Sequence, residues 1–161
     1  MLQNKFYLPD GTELRLVPEE RTNHHQLFTS TDGRVFSRHK ERFYRLMPTV
    51  TNYPCNRANG RRKQKYRKMT KTYGYILVHT AVALAWIGPK PGAGYVVDHL
   101  NGITTDNRVE NLQWVTRKEN EKRAKLLRVL RSIGRDPKQM SREELLEIFR
   151  KYEFTNPSNI D

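Results

Sequence analysis

The stretch from Val97 to Asn120 constrains what this chain can fold into more than any other. Tyr95-Val96-Val97 is a short apolar run that leads into Asp98-His99. A polar loop follows, with Asn101-Gly102 and Asp106-Asn107-Arg108, and then the apolar piece Leu112-Gln113-Trp114-Val115. Thr116 and Glu119 form a capping box, in which each side chain satisfies the other's free backbone N–H. The order is therefore strand, long polar loop, short strand, helix.

Adjacent residues at the end of a strand point to opposite faces. Asp98 can thus hold a cation from one side while His99 meets a water molecule from the other. Positions 120, 124 and 127 share a helical face, and Ala124 and Leu127 require that face to pack inward. Asn120 is then a polar group aimed at the interior beside the strand. A buried amide needs partners, and a metal ion bridging it to Asp98 would supply one. The helix N-terminus adds positive dipole character that suits a phosphate at the same place.

Elsewhere the pattern is read element by element. Pro9-Asp10-Gly11 between Phe6-Tyr7-Leu8 and Leu14-Arg15-Leu16 predicts a hairpin. Leu27-Phe28, Asp32-Gly33 and Val35-Phe36 predict a second, which Phe43, Tyr44, Leu46 and Met47 extend until Pro48 stops the sheet. Residues 73–78 predict a strand leading into the Ala-rich segment 79–87, a short buried helix ended by Gly88 and Pro89. The helix opened by Thr116 runs to about Ile133, where Gly134 stops it. Ser141 and Glu144 form a second capping box for a last helix through Leu145, Leu146, Ile148 and Phe149.

Charge bears on partners. The formal net charge is +13, and residues 21–79 carry fourteen Lys or Arg against two acids, Asp32 and Glu41. So basic a stretch usually meets a polyanion, because each neutralised phosphate releases condensed counterions. Eight of the fifteen residues 57–71 are Lys or Arg, with Asn59-Gly60 marking a turn. Two basic strands could lie along a DNA groove as a ribbon, or the segment is a loop that orders only on DNA. The longest apolar run, 75–87, is broken by His79 and Thr80 and is too short to span a bilayer. The first sixteen residues lack the pattern of a secretory signal, so the expected location is the cytoplasm of a bacterial or phage-infected host cell, with no membrane partner. Cys55 stands alone, which excludes an internal disulfide and a four-cysteine site.

The run Val97-Asp98-His99, Glu110-Asn111-Leu112-Gln113-Trp114-Val115-Thr116 and Asn120 resembles the ββα-metal site of HNH endonucleases, most closely the small phage and intron-encoded homing enzymes. The resemblance covers residues from about 75 to 133. It implies that Asp98 and Asn120 ligate one metal, that His99 activates water as general base, and that Asn111 pins the loop that orients His99. Asn at the third position, where others have His, is a variant of the homing branch. Gly33-Arg34-Val35-Phe36-Ser37 resembles a short module that often precedes the nuclease domain. The helix-turn-helix that often follows it is not evident, since one clear helix follows Gly134.

The chemistry suits these residue types. A neutral His, with a reference pKa near ~6.5, accepts a proton near neutral pH, and one carboxylate with one amide oxygen is a hard, sparse set that favours Mg²⁺ or Mn²⁺, one per active site. No zinc is expected. The fold class is thus α+β, a ββα-metal nuclease core over 73–133 between a basic β-rich region over 1–72 and a short helical tail over 134–161. The expected activity is metal-dependent hydrolysis of phosphodiester bonds in double-stranded DNA, by nicking or double-strand cutting. A catalytically inactive DNA-binding protein of the same fold and a basic RNA-binding module are the alternatives.

Expected DNA contacts are Arg57, Arg61, Arg62, Lys63, Lys65, Arg67, Lys68, Lys71, Arg117 and Lys118. His79 is either a hydrogen-bonded structural residue or an auxiliary that contacts the scissile phosphate or braces the site. Lys122 and Arg123 face the DNA backbone or form the solvated side of their helix. Trp86 and Trp114 are core residues, Tyr53 and Tyr66 DNA contacts. His24, His25 and His39 suit phosphate contact or solvent, and Asp106, Asn107 and Arg108 have side chains that bond nearby backbone.

Overall fold

A computed structural model describes residues 5–18, 26–54, 63–68 and 76–155, with backbone alone at 51–54, 63–68 and 153–155. Strands β1 (Lys5–Tyr7), β2 (Glu13–Leu16), β3 (Leu27–Thr29), β4 (Val35–His39) and β5 (Arg42–Leu46) form an antiparallel sheet in sequence order. Both expected hairpins are present, with Phe6 opposite Leu14 and Phe28 opposite Phe36. Gly11 at φ 82° and Gly33 at φ 81° make the turns that residues with a Cβ rarely adopt. β6 (Thr49–Pro54) and β7 (Lys63–Lys68) pair antiparallel as a separate ribbon, with Thr51 opposite Tyr66.

α1 (Val78–Trp86) follows, then β8 (Tyr95–His99), β9 (Leu112–Thr116), α2 (Arg117–Ser132) and α3 (Arg142–Thr155). β8 and β9 pair antiparallel and α2 packs across them, so the ββα unit implied by the motif is formed. Both capping boxes are present: Thr116 Oγ1 accepts from Glu119 N while Glu119 accepts from Thr116 N, and Ser141 and Glu144 repeat the exchange. Gly134, at φ 80°, follows the end of α2.

The strand expected over 73–78 is corrected at its described end. Leu77 makes a single bridge and is the extended N-cap residue, and Val78 already belongs to α1. Val78, Ala81 and Val82 are fully buried at helical spacing, so packing of a helix stripe overrides the strand-like look of the local sequence. Residues 73–75 lie outside the described ones.

Strand alternation divides the core. Phe28 and Phe36 join Leu14 on one face of the sheet, where Phe6 and Phe43 meet the Phe28 ring at 5.3 and 5.0 Å. Their neighbours Leu27 and Val35 turn to the other face and pack with Val17 against Ile76, Val78, Ala81, Val82 and Leu112. One core therefore joins the N-terminal sheet to α1 and β9. Half-buried Trp86 reinforces the junction: its Nε1 donates to Thr29 O and Oγ1, both at 3.1 Å, and the Arg15 guanidinium lies 4.1 Å over its ring. Trp114, also half-buried, donates to Gly88 O at 3.1 Å. A second core, Leu100, Leu126, Leu127, Leu130, Leu145 and Phe149, fastens α3 to α2. Among the described residues no helix is long and apolar enough to cross a membrane.

Candidate active site

Ladder register decides where the chemistry-bearing side chains go. Asp98 lies opposite Gln113, and His99 opposite Leu112. Leu112 is fully buried against α1, so His99 shares the α1 face while Asp98 and Gln113 take the α2 face. Opposite orientation of the Asp-His pair, expected from the sequence, is what the contacts give.

Asp98 is buried, and its Oδ2 accepts from Gln113 Nε2 at 3.2 Å and from Arg123 Nη1 at 3.4 Å. Arg123 is half-buried, with its guanidinium 5.0 Å over the Phe149 ring. This corrects the expectation that Arg123 faces DNA backbone or solvent. It stands three residues after Asn120, on the same inward face, and a buried carboxylate retains a charged partner there.

His99 is buried too. Its Nε2 meets Asn107 Oδ1 at 3.4 Å, and its ring lies edge-on to His79, centroids 5.1 Å apart. With the amide oxygen accepting, Nε2 holds the ring proton and Nδ1 the lone pair. Burial pushes the His99 pKa below the ordinary imidazole value, against the opposing pull of the Asn107 hydrogen bond and the Asp98 and Asp106 charges. The ring is therefore neutral at pH 7 and able to accept a proton. His79 is pushed down to about 3, by burial first and the neighbouring His99 second. A ring held neutral in this way braces His99 rather than offering a cation to phosphate.

Asn111 ties the loop together. Its Oδ1 accepts from Asn101 N at 3.0 Å, its Nδ2 donates to Asp106 O at 2.9 Å, and its backbone oxygen accepts from Leu100 N at 2.9 Å. Asn101, which the sequence did not single out, donates to Asp106 Oδ2 at 2.8 Å and accepts from Ile103 N at 2.9 Å. Burial pushes the Asp106 carboxyl up, but hydrogen bonds from Arg108 and Asn101 outweigh this and hold it below the usual carboxylate range. Two expectations for this loop are corrected. The Asn107 side chain bonds His99, not nearby backbone, and Arg108 spends its guanidinium on the Asp106 and Glu110 carboxylates.

Asn120 is half-buried near the start of α2. It lines a cavity of about 400 Å³ together with His79, Lys90, Tyr95, Val97 and Trp114. Asp98 does not line that cavity, and the two make no hydrogen bond to each other. Each nevertheless offers an oxygen of the hard type that a divalent cation such as Mg²⁺ takes. The Asn120 side chain makes no hydrogen bond to a described residue, and both protein bonds to Asp98 fall on Oδ2, leaving Oδ1 for a cation. Among the described residues no group of three or more His, Cys, Asp or Glu could hold a metal.

The expected DNA contacts are dispersed. Arg117 and Lys118 are exposed at the start of α2, Lys122 is half-buried, and His39 is exposed on β4. Lys63, Lys65, Arg67 and Lys68 lie in β7, as Tyr66 does, and Tyr53 lies in β6. Arg57, Arg61, Arg62, Lys71, His24, His25 and Cys55 lie outside the described residues.

Comparison with known proteins falls on this region. Residues 77–122 match the family model described as HNH endonuclease, so the match holds α1, both β-strands, the Asp98-His99 pair and Asn120. These residues are similar to the nuclease domain of HNH endonucleases. An uncharacterised HNH endonuclease of Acanthamoeba polyphaga mimivirus is 48% identical over 48 residues, which are 29% of this chain and 12% of that protein. The chain thus spans about an eighth of the length of the curated relative it matches. No solved structure matches. The resemblance to HNH endonucleases read from the Asp-His and Asn motif is borne out over residues 77–122, which hold α1, β8, β9 and the start of α2.

Proposed function

We propose that the chain is a metal-dependent DNA endonuclease that hydrolyses phosphodiester bonds at Asp98, His99 and Asn120. The observation that carries this reading is the neutral, buried His99 set back to back with the buried Asp98 at one strand end. Asp98 and Asn120 would hold one Mg²⁺ or Mn²⁺, which would supply charge stabilisation to the phosphodiester and its leaving oxygen. His99 takes the proton of the attacking water as that oxygen bonds phosphorus and the bridging oxygen departs. Asn111 fixes the loop that carries His99, and His79 braces the ring from α1.

Double-stranded DNA is the substrate that suits the charge. The basic residues 57–71, of which Lys63–Lys68 form strand β7 of the ribbon, and the exposed Arg117 and Lys118 supply phosphate contacts. The work is done in the cytoplasm of a bacterial or phage-infected cell. Incubation of end-labelled duplex DNA, single-stranded DNA and RNA with Mg²⁺ tests the assignment: only the duplex should be cut, and cutting of RNA alone would overturn it.

One observation favours the binding-only reading. The Arg123 guanidinium occupies the Asp98 oxygen beside the expected cation. Manganese titration followed by electron paramagnetic resonance separates the two, since a site retired from catalysis would bind no Mn²⁺ that Asp98→Asn abolishes.

A further inference from the structure

The HNH loop does not stand alone. The turn between β3 and β4 is pressed onto it, and Thr31 O accepts from Val109 N at 2.8 Å. Gly33 makes the closest approach. A Cβ built on it would lie 2.7 Å from Asn107 O and 2.8 Å from Asn107 C, separations that real Cβ atoms essentially never show. The obstacle is backbone, which cannot swing aside as the far end of a side chain can. Asn107 is itself buried, and its Oδ1 is the partner of His99 Nε2. Two successive contacts, Gly33 on Asn107 and Asn107 on His99, thus run from the β3–β4 turn to the ring that takes the proton.

We propose that the β3–β4 turn is the seat of the catalytic loop, and that Gly33 is a positioning residue which sets His99 through Asn107. The N-terminal sheet is then part of the active-site framework. The proposal rests on the reading of His99 as general base, and its test is built to survive the failure of that reading.

Gly11 supplies an internal control. It sits at φ 82°, against 81° for Gly33, but nothing lies within 4 Å of its Cβ position. Gly11→Ala and Gly33→Ala therefore impose the same backbone strain, and only the second adds the collision. The experiment records the ring ¹⁵N resonances of His99, together with duplex affinity and turnover, for both variants and for Asn107→Ala. Gly33→Ala should shift the His99 Nε2 resonance and lower kcat by about ten- to a hundredfold, as small misplacements of catalytic groups do, with duplex Kd changed less than about twofold. Gly11→Ala should leave resonance and kcat as in the native protein. Asn107→Ala should shift the same resonance, and it decides the matter if Gly33→Ala does not fold. Unchanged His99 resonances in Asn107→Ala, or equal shifts in the two glycine variants, would overturn the proposal. If the native protein cuts no DNA, the nuclease reading fails while the resonances still decide whether the turn sets the ring.

Discussion

His79 gives the fold a sensitivity to acid whose size follows from its burial. The ring titrates at about 3 in the folded chain, against an ordinary value of 6.5. The unfolded chain therefore binds more protons between these values, and folding stability rises with pH across that window. Above about pH 6.5 the contribution is complete; it erodes as pH falls toward the folded value. At about 1.4 kcal/mol per unit of pKa difference, lowering the pH from 7 to 5 costs about 2 kcal/mol. For a chain of this size that is about 4–8 °C in Tm. His99 shifts in the same direction and adds to the loss. Asp106 and Glu119, held below their ordinary carboxylate values, contribute stability that is lost only at more acid pH, so the interval from 7 to 5 isolates the histidines. Urea denaturation of native protein and His79→Gln at both pH values measures the effect. The variant should start less stable at pH 7 but lose about 2 kcal/mol less on acidification. Identical losses in the two proteins would refute the burial argument.

Other perturbations have equally definite outcomes. Asn111→Ala strands the Asn101 N–H and the Asp106 carbonyl and should cost about 2–4 kcal/mol in chemical denaturation, with turnover falling as the His99 loop loosens. Arg123→Met leaves Asp98 with Gln113 as its protein donor and should destabilise the fold by about 3 kcal/mol, read as a lowered urea midpoint. Thr116→Ala removes one half of a capping box and should cost about 1 kcal/mol in the same assay.

Much of the fold was legible because its signals are local. Asp10-Gly11 and Asp32-Gly33 specify hairpin turns by residue type, and Thr116 with Glu119 and Ser141 with Glu144 specify helix starts by spacing. The strand read over 73–78 fails at Val78 because an aliphatic run fits both periods until Ala81 and Val82 declare the helical one. Asp98, His99, Asn111 and Asn120 were legible as a candidate site, since their order is carried by one contiguous stretch. Arg123 could have been found: it shares the inward face of α2 with Asn120, and its charge should have suggested a buried acid as partner. Asn107 against His99 and Gly33 against Asn107 could not. Both contacts depend on where a loop lies after folding, and the second spans two sheets that no local pattern joins.

Supercoiled plasmid cleavage tests the central claim most directly, run with Mg²⁺, with EDTA, and with His99→Ala. Nicked or linear product should form with native protein and metal, vanish with EDTA, and fall to background in the variant although it still binds the plasmid. Equal cleavage by His99→Ala, or cleavage that persists in EDTA, would contradict the account.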